Sequence, residues 1–399
     1  MKKYTLPIIF IFLLTACNND TITLSISASD YDLDNVPVYT DIDASAIQAN
    51  SDVCLEINGQ IIPAQLEKQY DGNDQIWWIA NLRAGETASY TLLTDGNCTS
   101  QTTQFSWEDV NNNSKRLNSN GQPVLQYEYP VYDPNNIEAT KKPFHHVYGP
   151  AGEQLITKGP GGLYTHHRGI FFGYNHVYLE NQPDTRIDIW HARYGERSEH
   201  EEIVSEFDGP VMGGHSVKIL WKDLSGNPFI EEIRHIKAFK VSESETIIDF
   251  QSTLSALDQS VRLEGDLQHA GVQFRAAQYV AENAEQTQFI RPDKWDHVSP
   301  DDEIGEEERI DLPWNAMNFK IDGQTYTVAY MSYPSNPDGA EMSERKYGRF
   351  GEFFPYEISP NNPLIVRYRY WITQESTPSR DKINRMYMPY AELPEISNN

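Results

Sequence analysis

The chain has 399 residues, and its 58 acidic and 32 basic side chains give a formal net charge of −26 at pH 7. Such a charge argues against nucleic acid as a partner, because phosphate binding needs a basic surface. It does not exclude an acidic substrate, since a local pocket of arginine and histidine can dominate the field there. The length predicts two domains, or one large β domain with an accessory one.

The chain begins with the features of a secretory signal. Two lysines precede an apolar run at residues 6–14, which is too short for a membrane-spanning helix of about 20 residues. Leu14-Thr15-Ala16-Cys17 looks like a lipobox, in which small residues precede a cysteine that becomes acylated. We therefore predict a lipoprotein signal peptide at residues 1–16, lipidation of Cys17 and a tether at residues 17–36. The alternative is an ordinary signal peptide with a chance cysteine.

A lipid anchor predicts where the protein resides. We expect an outer-membrane lipoprotein that faces the periplasm or the cell surface and touches the membrane through its anchor only. Two cysteines, Cys54 and Cys98, remain in this oxidising compartment. They predict a disulfide, and two buried free thiols are the alternative.

Short alternating segments predict a small β domain at residues 37–110. Residues 53–57 alternate, and Asn58-Gly59 predicts a hairpin turn before the next strand. Further strands are predicted at residues 77–80 and 88–93.

A polar break at residues 111–115 predicts a domain boundary. Beyond it we predict one large antiparallel β domain at residues 115–399, a sandwich or a barrel. Its strands are predicted at residues 124–129, 170–172, 216–221, 229–241, 246–254, 318–330 (a hairpin around Asp322-Gly323) and 364–372. No sustained helical period is evident here, so the predicted class is all-β.

The densest unusual segment is residues 145–176, which hold five of the eleven histidines. After His145-His146 comes a glycine-rich turn, Gly159-Pro160-Gly161-Gly162, and then Tyr164-Thr165-His166-His167-Arg168. Glycine lets a backbone approach a ligand closely, and the strand that follows would hold these side chains rigidly. We therefore predict a functional site at the rim of the sandwich. The alternative is a hydrogen-bonded turn with satisfied histidines.

Residues 265–275 carry a second candidate group. His269, Gln273 and Arg275 alternate, so on a regular strand they would share one face. A histidine and an arginine in one cavity would supply a proton-transfer group and a carboxylate clamp. An exposed polar strand face is the alternative. His215 and Arg345 are weaker candidates for substrate binding.

Motifs for other chemistry are missing from the sequence. It has no Gly-x-Ser-x-Gly elbow, phosphate loop, dinucleotide fingerprint or His-Glu-x-x-His pair. A carboxylate pair for glycoside hydrolysis stays open, because such residues leave no local signature. We predict no cofactor. A divalent metal held by His166, His215 and His269 stays open, although their spacing does not support it.

Several segments resemble a bacterial family known as PmoA-like. They are residues 142–152, residues 166–173, Trp190-His191 and residues 265–275, and the resemblance covers nearly all of the mature chain. The His-His-Arg-Gly element at residues 166–169 is its most specific part. Relatives are carbohydrate-degradation proteins of Bacteroidetes, and one of this general kind in marine flavobacteria dehydrates oligosaccharides of ulvan. The resemblance implies that the large domain is a β-sandwich similar to the mutarotase and lyase supersandwiches.

The resemblance implies a lyase or dehydratase that acts on an anionic oligosaccharide. The enzyme would remove the C5 hydrogen of a non-reducing-end uronic acid and eliminate water, which leaves a 4,5-unsaturated uronyl residue. The expected catalytic residues are His166 or His167 as base and Tyr164 or His269 as acid. The expected substrate-binding residues are His146, Arg168, His215, Arg275 and Arg345. A glycoside hydrolase and a non-catalytic sugar-binding lipoprotein are the competing hypotheses.

Overall fold

A computed structural model describes residues 22–43, 47, 52–68, 73–94, 98, 105–266, 268–301, 309–374 and 377–398. The predicted signal peptide at residues 1–16 and Cys17 lie outside these residues, so both stay predictions. Within the described part of the chain, no helix is both long and apolar enough to cross a membrane.

Antiparallel strands make up most of the molecule. The first group is Thr23–Ser27 (β1), Leu33–Ile42 (β2), Val53–Ile57 (β3), Gln60–Pro63 (β4), Gln65–Glu67 (β5), Asp74–Leu82 (β6), Thr87–Thr94 (β7), Phe105–Asn111 (β8), Ser114–Ser119 (β9) and Gln122–Glu128 (β10). The second is Phe144–Val147 (β11), Ile170–Tyr174 (β12), Val177–Leu179 (β13), Gln182–Ile187 (β14), Arg197–Phe207 (β15), Gly213–Lys222 (β16), Pro228–Lys240 (β17), Glu245–Ala256 (β18), Val261–Leu263 (β19) and Ala270–Arg275 (β20). The third is Gln288–Ile290 (β21), Trp314–Ile321 (β22), Gln324–Ser332 (β23), Glu341–Arg345 (β24), Arg349–Phe353 (β25), Tyr356–Ile358 (β26), Leu364–Gln374 (β27) and Glu395–Asn398 (β28). The α-helices are Ile137–Thr140 (α1), Gln278–Glu282 (α2) and Arg380–Ala391 (α3).

Two small sheets share a core near the N-terminus. One has the order β28-β1-β7-β3-β4 and the other β2-β6-β5. Their inward side chains, among them Leu24, Val38, Leu55 and Trp78, form one buried cluster. A disulfide joins Cys54 to Cys98, as predicted, and closes a segment with a sequence separation of 44.

The predicted tether at residues 17–36 is wrong from residue 23 onward. β1 and the start of β2 lie in this stretch, and β1 alternates partly buried with fully buried side chains. Leu24 and Ile26 are fully buried, so the segment belongs to the small core. The three serine and threonine residues of β1 made this strand look polar, although they occupy only its outward-facing positions.

Two eight-stranded sheets face each other in the larger part of the chain. The first has the order β24-β25-β20-β12-β11-β10-β9-β8, and the second has the order β15-β16-β17-β18-β27-β23-β22-β21. A four-stranded sheet, β14-β13-β19-β26, extends this part. Side chains from both large sheets, including Phe172, Phe274, Trp221 and Tyr330, form a single core. The predicted all-β class and antiparallel sandwich are confirmed.

The predicted boundary at residues 111–115 is misplaced. Those residues are the end of β8, the two-residue turn 112–113 and the start of β9, and the two strands pair as an antiparallel hairpin at the edge of the first large sheet. Residues 105–110 therefore belong to the large sheet, and a polar turn inside a hairpin looks the same in sequence as a linker.

The expectation of no helix in the second half is wrong for α3. Ser379 caps this helix by accepting a hydrogen bond from the Lys382 amide. Ile383 and Met386 are buried against Trp314 and Trp371, on the face of the second large sheet turned away from the main core. The proline at position 389 and the short length hide the helical period.

Glu352 carries a buried carboxyl group between the large sheets, and it predicts a pH-dependent stability. Burial raises its pKa from 4.5 to about 7, although Ser332 Oγ donates a hydrogen bond to Oε1 at 2.6 Å. The folded protein therefore holds this proton more tightly than the unfolded chain does. The stabilisation that comes from this tighter proton binding is fully present below pH 4.5 and is lost as the pH rises through about 7.

The neutral variant Glu352→Gln should remove this dependence. Between about pH 5 and about pH 8.5, the stability of the variant relative to wild type should rise by about 2–3 kcal/mol. Urea unfolding of both proteins at the two pH values measures the difference. A difference in unfolding free energy that is the same at both pH values would contradict the assignment of the raised pKa to Glu352.

Candidate functional site

The candidate site lies on the outer face of the first large sheet. In β12 and β20, Phe172 and Phe274 point into the main core, whereas Phe171 belongs to a separate cluster with Phe144 and Trp190. Successive strand residues point to opposite faces, so Gln273 and Arg275 project to the same side as Phe171. Arg275 is the last residue of β20, so the site begins at this end of the strands, where the sequence predicted a rim position, and the loops extend it over the outer face of the sheet.

Hydrogen bonds within the loop at residues 158–169 hold its two ends together. The Gly169 amide donates to the Lys158 carbonyl at 2.8 Å, and Lys158 Nζ donates to the carbonyls of Leu163 at 3.0 Å and Tyr164 at 3.3 Å. A side chain at Gly169 would meet the His145 carbonyl oxygen at 1.9 Å, so only glycine fits there. Tyr164 itself has a φ of 53°. For an aromatic residue this left-handed conformation is strained, and such strain concentrates at functional sites.

Tyr164, His167 and Tyr347 form the mouth of the site. The ring of Tyr164 lies 4.7 Å from that of Tyr347 and 5.4 Å from that of His167, measured between centroids. Tyr164 is 44% exposed, whereas His167 is 2% exposed. Both ring nitrogens of His167 are buried without a hydrogen-bond partner. Burial holds the pKa of His167 well below its usual range, and Arg349 adds to the effect.

Two buried guanidinium groups lie beneath Tyr347. They come from Arg275 and Arg349, which are directly opposite each other in the β20–β25 pairing. Arg349 Nε donates to the Tyr347 hydroxyl at 3.1 Å, and its other nitrogens donate to Gln273 and Ser343. Arg275 Nη1 donates to backbone carbonyls, but its Nε and Nη2 are buried without a partner. Burial lowers the pKa of Arg275 to about 10, so this group stays cationic at neutral pH with two donors unused.

Three histidines meet beside this mouth, and we call His166, His191 and His269 the histidine trio. One ring nitrogen from each lies within 4.8 Å of the other two. The ring of His166 is also 4.3 Å from that of His167, so the trio adjoins the mouth. Burial lowers the pKa of His166 to about 2, with a further contribution from Lys142.

Two aspartates orient the trio. Asp188 accepts from His191 Nδ1 at 2.9 Å, and Asp266 accepts from His269 Nδ1 at 2.8 Å. Burial alone would raise the pKa of Asp188, but hydrogen bonds from His191 bring it down to about 2. His269 lies in the bend one residue before β20, and its ring lies 6.1 Å from that of Trp190, on the side of the sheet to which Gln273 and Arg275 project.

His215 lies elsewhere, and its predicted place in the site is wrong. The strand β16 points it into the main core, where its Nε2 lies 2.9 Å from His145 Nε2 and its ring stacks on Trp107. It is fully buried, and burial lowers its pKa to about 3. It lies between the two large sheets, on the other side of the first sheet from His166 and His269, so it cannot join them in a metal site.

The remaining candidates lie around the site rather than at its mouth. Arg168 is fully buried and its Nη2 donates to the Glu138 carbonyl at 2.8 Å, which favours a role in fixing α1. His146 Nδ1 lies 3.1 Å from Thr157 Oγ1, and burial lowers its pKa to about 4. Arg345 lies opposite Arg349 in the β24–β25 pairing. A cavity of about 380 Å³ lies apart from all of them, lined by Tyr39, Trp77, Lys237, Arg367, Arg369 and Tyr390.

The sequence argument missed three kinds of residue in this site. His191 was noticed only through the resemblance, Tyr347 and Arg349 were not predicted as site residues, and the two aspartates were not noticed at all. A signal was present, because Asp188-Ile-Trp-His191 and Asp266-Leu-Gln-His269 share the spacing Asp-x-x-His. The repeat of that spacing indicates two histidines held in the same way.

Comparison with known proteins assigns the chain to a family without assigning a function. No curated protein matches it. Residues 114–388 match a family described as a family of unknown function, DUF6807. This match leaves the resemblance to PmoA-like proteins a prediction. It spans more than half of the chain and includes every residue of the mouth and the histidine trio, and the protein therefore belongs to the DUF6807 family.

Proposed function

We propose that the protein is a carbohydrate-active lyase or dehydratase of anionic oligosaccharides. It would act on the non-reducing-end uronic acid of an ulvan-type fragment and leave a 4,5-unsaturated uronyl residue. The supporting observation is the convergence of buried guanidinium groups with a histidine and a tyrosine at one mouth. Cationic groups buried together are unexpected in a chain with a net charge of −26, unless an anion is to be bound there.

Arg275 is the group proposed to bind the uronate carboxylate. Its Nε and Nη2 lack partners, so they can donate to a carboxylate in the two-pronged geometry that arginine favours. Arg349 lies beside it and adds positive charge. Removal of the C5 proton shifts negative charge onto the carboxylate, and a fixed cation stabilises that charge as it develops.

His167 and Tyr164 are proposed as base and acid. A free ring nitrogen of His167 would take the C5 proton, and the electron pair of that C–H bond would form the C4–C5 double bond. The C4–O bond would break, and the Tyr164 hydroxyl would donate the proton that releases the oxygen as water. Four residues were expected as base or acid. His166 and His269 belong to the histidine trio, whereas His167 and Tyr164 lie beside the arginines. Each proton transfer is worth about 10²–10⁴-fold in rate.

The predicted lipid anchor would place this chemistry outside the cytoplasm. A lipoprotein attached through Cys17 to the outer membrane, facing the periplasm or the cell surface, would meet oligosaccharides released by other enzymes. Membrane contact would be confined to the anchor.

Incubation with a panel of uronate oligosaccharides tests the proposal. The conjugated double bond of an unsaturated uronate absorbs in the ultraviolet, so its appearance with loss of one water by mass spectrometry would support a dehydratase. Release of a sugar with the same absorbance would indicate a lyase. New reducing ends without absorbance would indicate a glycoside hydrolase. Binding alone would indicate a sugar-capture lipoprotein, and either of these last two results would overturn the proposal.

A further inference from the structure

The histidine trio is built from three segments that are distant in the sequence. His166 comes from the loop before β12, His191 from the turn after β14, and His269 from the turn before β20. Their ring centroids lie 4.6, 4.9 and 6.4 Å apart, pair by pair. Imidazole rings gain little from such a meeting by themselves, whereas a shared ligand would explain it.

The hydrogen bonds of the trio leave one nitrogen free on each ring. Asp188 and Asp266 occupy Nδ1 of His191 and His269, so Nε2 is the atom of each that can bind something else. Nε2 of His166 is buried without a partner. Carboxylates that hold the far nitrogen of a histidine are typical of metal sites, where they fix the ring and increase its basicity.

We propose that the histidine trio binds one divalent transition-metal ion, of which Zn²⁺ is the best match. Neutral imidazole suits zinc and its neighbours better than calcium or magnesium. With Zn–N bonds of about 2.0–2.1 Å, tetrahedral ligands lie about 3.4 Å apart, so nitrogens within 4.8 Å need only small ring movements to reach that geometry. Three protein ligands leave a fourth position open, as in catalytic zinc sites.

The open position would lie beside the proposed base. The ring of His166 lies 4.3 Å from that of His167, and Trp190 contacts the rings of both His167 and His269. If the proposed function holds, on which this step rests, the ion would take an oxygen of the uronate and share its negative charge with Arg275. Metal binding itself does not depend on that function.

Metal binding can be measured directly on the untagged protein. We expect dialysis against ZnCl₂ to leave one equivalent bound after a chelator has first removed any metal, and Co²⁺ to give the visible absorption of a tetrahedral site. His191→Ala and His269→Ala should each weaken Zn²⁺ binding by about 100-fold or more. Asp188→Asn should weaken it by about 10–100-fold, because it removes the negative charge that orients His191 and increases its basicity, but removes no ligand.

His297→Ala is the matched control, because His297 is exposed and makes no described contact with the histidine trio. It should bind Zn²⁺ as wild type does. Absence of stoichiometric binding by the wild type, or unchanged affinity in both His191→Ala and His269→Ala, would overturn the metal site.

The uronate assay separates this inference from the proposed function. Zinc binding without unsaturated product upholds the metal site and overturns the function. Unsaturated product from a protein that binds no metal overturns the metal site and leaves the function standing.

Discussion

His167→Ala should lose the formation of unsaturated uronate by about 10²–10⁴-fold while the protein stays folded. The reason is that His167 has two buried ring nitrogens without partners, lies beside Tyr164, and feels the positive charge of Arg349 and Arg275. A side chain that makes no hydrogen bond contributes little to stability through its polar atoms, so its loss should affect turnover far more than folding. Initial rates followed by ultraviolet absorbance measure the loss.

Two controls make this result specific. His167→Gln keeps much of the volume and should be nearly as inactive, which separates loss of the base from a packing defect. His297→Ala, on the exposed surface, should keep the wild-type rate. Equal turnover by His167→Ala and wild type would remove His167 from the mechanism.

Arg234→Met should destabilise the fold by about 3–5 kcal/mol, because it leaves the charge of Glu232 buried without its partner. Arg234 Nε donates to Glu232 Oε1 at 2.7 Å, and both side chains are at most 1% exposed. Trp221 and Ser252 also donate to Glu232, so the carboxylate is held in place whether or not the arginine is present. Urea unfolding measures the loss.

The double variant Arg234→Met/Glu232→Gln should recover much of that stability, since no buried charge remains. An exposed pair provides the comparison, because Arg262 and Glu264 are each about half exposed. Arg262→Met should cost less than about 1 kcal/mol. Equal losses in Arg234→Met and Arg262→Met would contradict the argument from burial.

The strands could be predicted wherever the alternation was regular and a turn signal closed it. Asn58-Gly59 and Asp322-Gly323 each join two strands, and all four residues have positive φ. The local sequence determines such hairpins, because only a few residue types tolerate a positive φ. β1 alternates as well, but its serine and threonine residues made it look like part of the tether, and Pro389 interrupts the helical pattern of α3.

The site could be predicted only in part, because sequence shows which residues are chemically able but not which of them meet. The 164–168 segment and Arg275 were expected to converge, and they do. His215 was expected beside His166, but the alternation of β16 turns it into the core. His191 takes that place because Trp190, in the turn after β14, packs against Phe171, and the Asp-x-x-His spacing does not specify this tertiary contact.

The pairing of β28 with β1 bears on the order in which the protein is made. Four residues near the C-terminal end complete the edge of a sheet whose first strand is among the earliest parts of the chain. Until residues 395–398 have been synthesised, β1 therefore lacks the partner strand on one of its edges, although the other strands of the two small sheets are complete by residue 94.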